Sequence, residues 1–382
     1  MVHRYARELA RLLRDQSYSE NRIFHYCSSQ DPGDKMVNGA FLMGAFMIII
    51  LKMTAEQAYD RFTPYHNLFK PYRDASKGTC FYNCTLLHVL QGLEYAVRFG
   101  WYDFRTFNVK EYEYYERVEN GDLNWIIPGK FAAFMGPIEN RDAHHRYGHH
   151  PKKYVDIFKN IGVNKVIRLN EEKYDKQHFE NGGISHNDLF FVDGSTPPES
   201  IVREFFKVVE DHFMRHDKGA IAIHCKAGLG RTGTLIGLWA MKHFQIPAEP
   251  FIGWIRIARP GSILGPQQFY LPQMEPNYIL THHSAQKGRM MTQKFNESPQ
   301  DKHKAMYGES HQANYLINAK ERNSETKSRR KLFNDRTNEV MSHPETPVSP
   351  FKDQSSKIGS MRENDVARYS PSSPVKSFDY RA

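Results

Sequence analysis

The chain has 382 residues, 40% of them hydrophobic and 13% aromatic, a length and composition that fit two folded units and a tail. Its formal charge of +9 is unevenly spread: residues 281–382 hold 18 Lys+Arg against 12 Asp+Glu, and the other 280 residues hold 34 against 31. The basicity therefore belongs mainly to a solvated tail, which argues against a nucleic-acid groove, and four cysteines are too few for a disulfide scaffold.

The N-terminal MVHRYARELARLL is charged and amphipathic, unlike a signal peptide. MVNGAFLMGAFMIIIL (36–51) is shorter than a bilayer requires and contains Asn38, so it reads as a buried helix and no membrane insertion is expected. An internal repeat follows. FLMGAFMIIILKMTAEQAYDRF (41–62) aligns with TLIGLWAMKHFQIPAEPFIGWI (234–255) at a constant offset of 193. Each copy reads as an apolar helix, a break and a second helix, with Thr54 and Pro247 as the second helix's start residues. A His and Cys precede each copy: His25 and Cys27, then His224 and Cys225.

Residues 105–125 (RTFNVKEYEYYERVENGDLNW) are acidic and tyrosine-rich, and read as a connecting helix with Glu113, Glu116 and Glu119 along one side. For any one of these glutamates, a solvated helix face is an equal reading. In the second unit, 163–170 and 188–193 read as strands. The stretch 195–213 reads as a helix capped by Thr196 and Glu199, with Ile201, Phe205, Val208, Val209 and Phe213 as its buried stripe. The alternation predicts an α/β sheet with crossover helices. Residues 283–382 are polar and weakly periodic, with five Ser/Thr-Pro pairs at Ser298, Thr346, Ser349, Ser370 and Ser373. Two are Ser-Pro-x-Lys, which favours proline-directed phosphorylation.

The chemistry concentrates in HCKAGLGRTG (224–233), which follows the apolar AIAI (220–223). A cysteine at the end of a strand, ahead of a glycine-rich turn into a helix, faces inward-pointing backbone N–H groups and a positive helix end. Such a nest binds a tetrahedral dianion through the backbone of Lys226, Ala227, Gly228, Leu229 and Gly230, and it favours the thiolate of Cys225. Arg231 adds a planar fork for two phosphate oxygens. The implied reaction is phosphoryl transfer to sulfur and then hydrolysis, calling for no metal or cofactor. Asp193 is the candidate acid for the leaving oxygen, Thr232 a donor to the departing thiolate, and Gln267 and Gln268 are candidates to place the water. His224 orders the loop. For the two glutamines a surface-polar role is nearly as good a reading.

These residues carry a resemblance. HCKAGLGRTG fits the HCxxxxxR loop of the cysteine-dependent protein tyrosine phosphatases. With YRDAS (72–76), YERVENGDLNWIIPGKF (115–131), DLFFVDGSTP (188–197) and RPGSILGPQQ (259–268), the chain resembles the cell-division-cycle-fourteen dual-specificity phosphatases of mitotic exit. The resemblance implies two tandem phosphatase-like α/β domains, each a central sheet flanked by helices, with only the second active. It implies Cys225 as nucleophile, Arg231 as phosphate clamp and Asp193 as general acid. It further implies phosphoserine-Pro substrates with a basic residue two positions on, which Glu113, Glu116 and Glu119 accept in a groove. Such phosphoproteins are products of proline-directed kinases.

The expected organisation is 1–104 non-catalytic, 105–125 linker helix, 126–282 catalytic and 283–382 tail. The first domain is expected to lack its initial strands, and Cys27 to be a relic, since the loop after His25 is six residues longer to the matching glycine and has no arginine. AHHRYGHH (143–150) reads as a surface loop, with metal binding as the alternative. KSRRK (327–331) reads as a nuclear address, so nucleus and cytoplasm are the expected compartments, with the spindle pole or related microtubule structures beside them. A phosphoinositide phosphatase and a phosphopeptide-binding scaffold are the rival readings. Lys226 is the loop's sole lysine, which disfavours the former.

Overall fold

A computed structural model describes residues 1–26, 32–76, 80–139, 148–216 and 219–279. Cys27, His144, His145 and the tail with its Ser/Thr-Pro pairs and KSRRK lie outside them.

The first half is built of helices α1 (Val2–Arg14), α2 (Pro32–Ile49), α3 (Ala55–Asp60) and α4 (Leu86–Arg98). Its described residues contribute one isolated antiparallel bridge, Tyr72 to Cys84, and no strand to the sheet. The apolar 36–51 stretch lies almost wholly within α2, and no described helix is long and apolar enough to cross a membrane. Thr54 closes a capping box with Gln57, as a helix start demands.

The connector departs from the expected single helix. Only Val109–Tyr115 is α-helical (α5), capped by Asn108; a 3-10 turn follows at Val118–Asn120, and the chain enters strand β1 (Leu123–Ile127). The helix has ended at its cap Glu116, and Gly121 (φ 121°) and Asp122 (φ 46°) close the 3-10 turn with positive-φ backbone. Beyond β1 come β2 (Phe131–Phe134), α6 (Pro151–Ile161), β3 (Val163–Arg168), α7 (Gln177–Glu180) and β4 (Ser185–Asp188). The chain then runs through α8 (Glu199–Arg215), β5 (Ala220–His224), α9 (Gly230–Phe244), α10 (Ala248–Ala258) and α11 (Gln267–Tyr278).

The sheet order is β1-β2-β5-β3-β4, with β1 antiparallel and the rest parallel, so β5 is central. Its AIAIH alternation serves two layers. Ile221 and Ile223 join the core under α8, α9 and α10, while Ala220 and Ala222 face Tyr154, Phe158 and Phe179 of α6 and α7. Two expectations shift here. The strand expected over 188–193 lies at 185–188, and 189–193 leaves the sheet as an irregular loop after two hydrogen bonds, Leu189 N–H to Arg168 O and Phe191 N–H to Leu169 O. The helix expected from Thr196 begins at Glu199 with Pro198 at the cap and no side-chain cap, because consecutive prolines hold the preceding residues extended. It buries Val202, Phe205, Phe206, Val209 and His212.

The repeat is structural and reaches further than the aligned residues. α2-α3-α4 matches α9-α10-α11. The first N–H of α3 (Ala55) donates to Glu94 of α4 at 2.7 Å, and the first N–H of α10 (Ala248) donates to Glu275 of α11 at 2.8 Å. Gly44 packs on Leu90, and Gly237 on Leu271. The halves meet where α4 lies on α10. A Cβ on Gly92 would come within 2.3 Å of Pro250 O, and one on Gly253 within 2.5 Å of His88 O, so the two backbones approach closely only because both residues are glycine.

Candidate active site

β5 delivers Cys225 to the centre of the sheet's C-terminal edge, and α9 begins five residues later, so Cys225–Leu229 must turn tightly over the helix N-terminus. Gly228 has φ +64°, and a Cβ there would lie 1.8 Å from Phe134 O; both facts require glycine. Leu229 caps α9 without a side-chain hydrogen bond, which leaves the first-turn N–H groups to the loop's hollow. Cys225, Ala227, Leu229, Arg231 and Thr232 are all buried and Lys226 is half-buried, with burial pushing its ammonium below the usual lysine range.

Arg231 is 3% exposed. Its Nη1 donates to Phe191 O (2.8 Å) and Leu169 O (3.2 Å), its Nη2 sits 3.1 Å from Asp193 Oδ1, and its buried Nε has no hydrogen-bond partner. The structure thus brings Asp193 to the arginine of the loop. Asp193 is braced by the Gly194 N–H, and Gly194 turns the chain at φ +74°. Phe190 and Val192 beside it are exposed, at 50% and 39%. Thr232 Oγ1 is buried without a partner, a hydroxyl free to donate.

Both glutamines are buried, so the surface-polar reading fails for them. Gln267 Oε1 lies where a Cβ on Gly230 would be 2.6 Å away and accepts from Leu264 N–H, while its Nε2 donates to Ser195 O (3.0 Å), tying the Asp193 loop to this one. Gln268 is occupied otherwise. Its Oε1 accepts from Arg256, and its Nε2 donates to Asp74 Oδ2 (2.9 Å), an acid of the first half that also takes the Gly265 N–H.

The three connector glutamates do not share a helix. Glu113 is on α5 and forms a two-pronged pair with Arg4 (2.7 and 2.8 Å), Glu116 caps α5, and Glu119 lies in the 3-10 turn. Their stretch nonetheless approaches the loop: Val118 packs against the buried cluster of Met135, Ala227, Leu229 and Leu264, and Tyr112 donates to Ala258 O at 3.0 Å.

Arg259 escaped the sequence reading, although it heads the RPGSILGPQQ stretch. It is fully buried and braces the loop from beneath, with Nε to Gly228 O (2.8 Å), Nη2 to Ala227 O (3.0 Å) and Nη1 to Asn124 Oδ1 (2.7 Å) and Asp122 (2.9 Å). By holding these carbonyls outward it turns the loop's N–H groups inward. Gly136 fits beneath, where a Cβ would be 2.4 Å from Cys225 O. His224 is buried and neutral, its pKa pushed down to about 3 chiefly by desolvation. His25, its counterpart in the repeat, is exposed and bonds Tyr5 OH (3.0 Å). From the histidine-rich stretch, His150 approaches Glu139 and His178, with ligand atoms within 4.8 Å of one another.

A cysteine at the end of the central strand, an arginine at the start of the following helix and an aspartate paired with it make the site type of the cysteine-dependent phosphatases. Residues 1–96 match the family described as dual specificity protein phosphatase, N-terminal half, and residues 147–245 match one described as polymorphic toxin system, DSP-PTPase phosphatase. The human dual specificity protein phosphatase CDC14A is 48% identical over 72% of this chain and 46% of its own length. The Caenorhabditis elegans tyrosine-protein phosphatase cdc-14 is 44% identical over 71% and 38%, and the Saccharomyces cerevisiae CDC14 is 35% identical over 71% and 49%. A solved putative protein tyrosine phosphatase from Leishmania major aligns over 37% of this chain and 86% of its own, at 23% identity and a TM-score of 0.32. Over most of its length the chain is strongly homologous to the CDC14 dual specificity protein phosphatases. It spans about half the length of the curated relatives it matches.

Proposed function

We propose that this chain hydrolyses phosphoserine, phosphothreonine and phosphotyrosine in proteins through a cysteinyl-phosphate intermediate. The observation that carries the reading is the buried Cys225 beneath a glycine turn and helix N-terminus, with Arg231 presenting an unpartnered Nε beside it. Phosphate oxygens occupy the loop N–H groups and the Arg231 fork, and the Cys225 thiolate attacks phosphorus. As phosphate engages Arg231, Asp193 is released from its ion pair, takes up a proton from solvent and delivers it to the leaving oxygen. Water held by Gln267 then attacks the phosphocysteine and gives its proton to Asp193, while Thr232 donates to the sulfur that departs.

For the peptide beyond the phosphate, we propose that Glu113, Glu116 and Glu119 take the lysine or arginine of phosphoserine-Pro-x-Lys sequences made by proline-directed kinases. The packing of Val118, between Glu116 and Glu119 in the chain, against the cluster that includes Ala227 and Leu229 supports this reading. A role in mitotic exit and cytokinesis, in nucleus, cytoplasm or at the spindle pole, is the cellular reading that goes with it.

The test is phosphate release from phosphoserine-Pro-x-Lys, phosphothreonine-Pro-x-Lys and phosphotyrosine peptides and from a phosphoinositide. Turnover highest on the first, and abolished by Cys225→Ser, is the expected result. Turnover only on the lipid, or peptide binding with no phosphate released, would replace the reading with one of its rivals.

A further inference from the structure

Behind the loop runs a buried hydrogen-bond series that the mechanism above does not use. His224 Nδ1 is 3.0 Å from Cys225 O, His224 Nε2 is 2.7 Å from Tyr174 Oη, and Tyr174 Oη is 2.8 Å from His186 Nε2. Tyr174 is 2% exposed, and the side chain of His186, on edge strand β4, is fully buried.

The direction of each bond follows from which atoms can donate. A carbonyl oxygen only accepts, so His224 Nδ1 carries a hydrogen for Cys225 O. Burial holds both histidines neutral, His224 down to about 3 and His186 to about 4, and holds the Tyr174 phenol protonated. A neutral His224 therefore has a bare Nε2 that accepts from the Tyr174 hydroxyl. With its one hydrogen spent, the Tyr174 oxygen accepts from His186 Nε2–H. The groups facing His186 are Asp188, whose Oδ2 is 3.9 Å from Nδ1, with Arg168, Lys165 and Lys176 around it; Nδ1 has no hydrogen-bond partner.

We infer that His186 is a positioning residue for the phosphate-binding loop. By donating to Tyr174 it aims that hydroxyl at His224 and forbids the His224 tautomer that would leave a bare Nδ1 against the Cys225 carbonyl. Without His186, the Tyr174 hydroxyl is no longer held towards His224 Nε2, and the His224 tautomer that leaves a bare Nδ1 against the Cys225 carbonyl is opposed by that carbonyl alone. The carbonyl anchor that sets the loop's amides is weakened accordingly. The residue lies three hydrogen bonds from the cysteine and touches no substrate. The inference rests on the phosphatase reading for its meaning, not for its test.

The test follows Cys225 alkylation by iodoacetamide across pH, read by mass spectrometry on the Cys225 peptide of the full chain, together with kcat/KM on an aryl phosphate. Phe in place of His186 keeps a ring and removes the donor; His186→Gln restores an N–H near the Nε2 position; His186→Asn is polar but too short to reach Tyr174. His186→Phe and Tyr174→Phe should each move the alkylation midpoint up by about half a pH unit, a change of about threefold, and lower kcat/KM at least as much. His186→Gln should recover both, and His186→Asn should not. Should His186→Phe fail to fold, the Gln and Asn pair carries the comparison. Superimposable alkylation curves for wild type and a folded His186→Phe, or equal behaviour of Gln and Asn, would overturn the inference. A wild type that releases no phosphate removes the proposed function, while the alkylation curves still decide on His186.

Discussion

The Nη2 of Arg231 stands 3.1 Å from Oδ1 of Asp193, so the arginine of the loop and the aspartate of the neighbouring loop form an ion pair. A carboxylate in that pair has no proton to give, and arriving phosphate competes for the same guanidinium. Asp193→Asn should therefore lower kcat on phosphoserine peptides by about 100- to 10,000-fold, the range of a positioned acid. An aryl phosphate with a strongly acidic leaving group needs no proton and should lose far less. Rates measured against leaving-group pKa will show whether the slope steepens in the variant.

The Arg259–Asp122 pair is entirely buried and also carries the loop carbonyls of Ala227 and Gly228. Removing one partner strands the other's charge. Asp122→Ala or Arg259→Ala should cost about 3–5 kcal/mol, read as a lowered midpoint in urea unfolding. Turnover should fall at temperatures where the protein is still folded.

Gly228→Ala is expected to be inactive. Its Cβ would collide with Phe134 O at 1.8 Å in a backbone of φ +64°, so the loop must open. Loss of phosphate release with intact far-UV circular dichroism is the outcome to look for.

The buried histidines set an acid limit on stability. Desolvation depresses His224 to about 3 and His186 and His212 to about 4, below the ordinary 6.5 they regain on unfolding. The unfolded chain then binds the protons that the native one refuses, so stability is full above about pH 6.5 and declines as pH falls towards 4, by at most ~1.4 kcal/mol per pH unit for each histidine. Urea midpoints at pH 7.5, 5.5 and 4.5 measure this. His212→Gln, whose amide can still reach Gly219 O, should flatten the slope.

At the α4–α10 contact, Gly92→Ala would push a methyl within 2.3 Å of Pro250 O and 2.5 Å of Trp254 N. Backbone yields poorly, so the halves should separate there, with a loss of about 1–3 kcal/mol in thermal unfolding. Gly129→Ala, with open space around its Cβ position but φ +71°, is the control for backbone strain alone.

The chemistry was more legible than the geometry. AIAIH and the loop after it fixed each other's reading, because an alternating strand must end where glycines begin. The repeat was visible through Gly44, Gly237 and the Ala-Glu pairs. Three things were not. The run DLFFVD looks like a strand by composition, but Phe190 and Val192 face solvent, and nothing local distinguishes them from Leu189 and Phe191, which are buried. The acidic connector hid a helix end, since the residues after Glu116 keep the polar, acidic character of α5 while the chain passes through a 3-10 turn into β1. Arg259 and Asp74 act through partners 31 and 194 residues away, a distance no spacing rule spans.

The two helical triplets are not the same length. From Ala55 to its capping Glu94 is 39 residues, and from Ala248 to its capping Glu275 is 27, so the first copy is twelve residues longer between its second and third helices. That surplus falls in the stretch holding Tyr72, Asp74 and Ser76. There Asp74 crosses to the Gly265 N–H and the Gln268 amide, and Tyr72 O receives Arg256. In a chain whose two halves read as duplicates, the half without Cys225 thereby reaches into the other: the residues added between its second and third helices hold the turn that leads into Gln267 and Gln268.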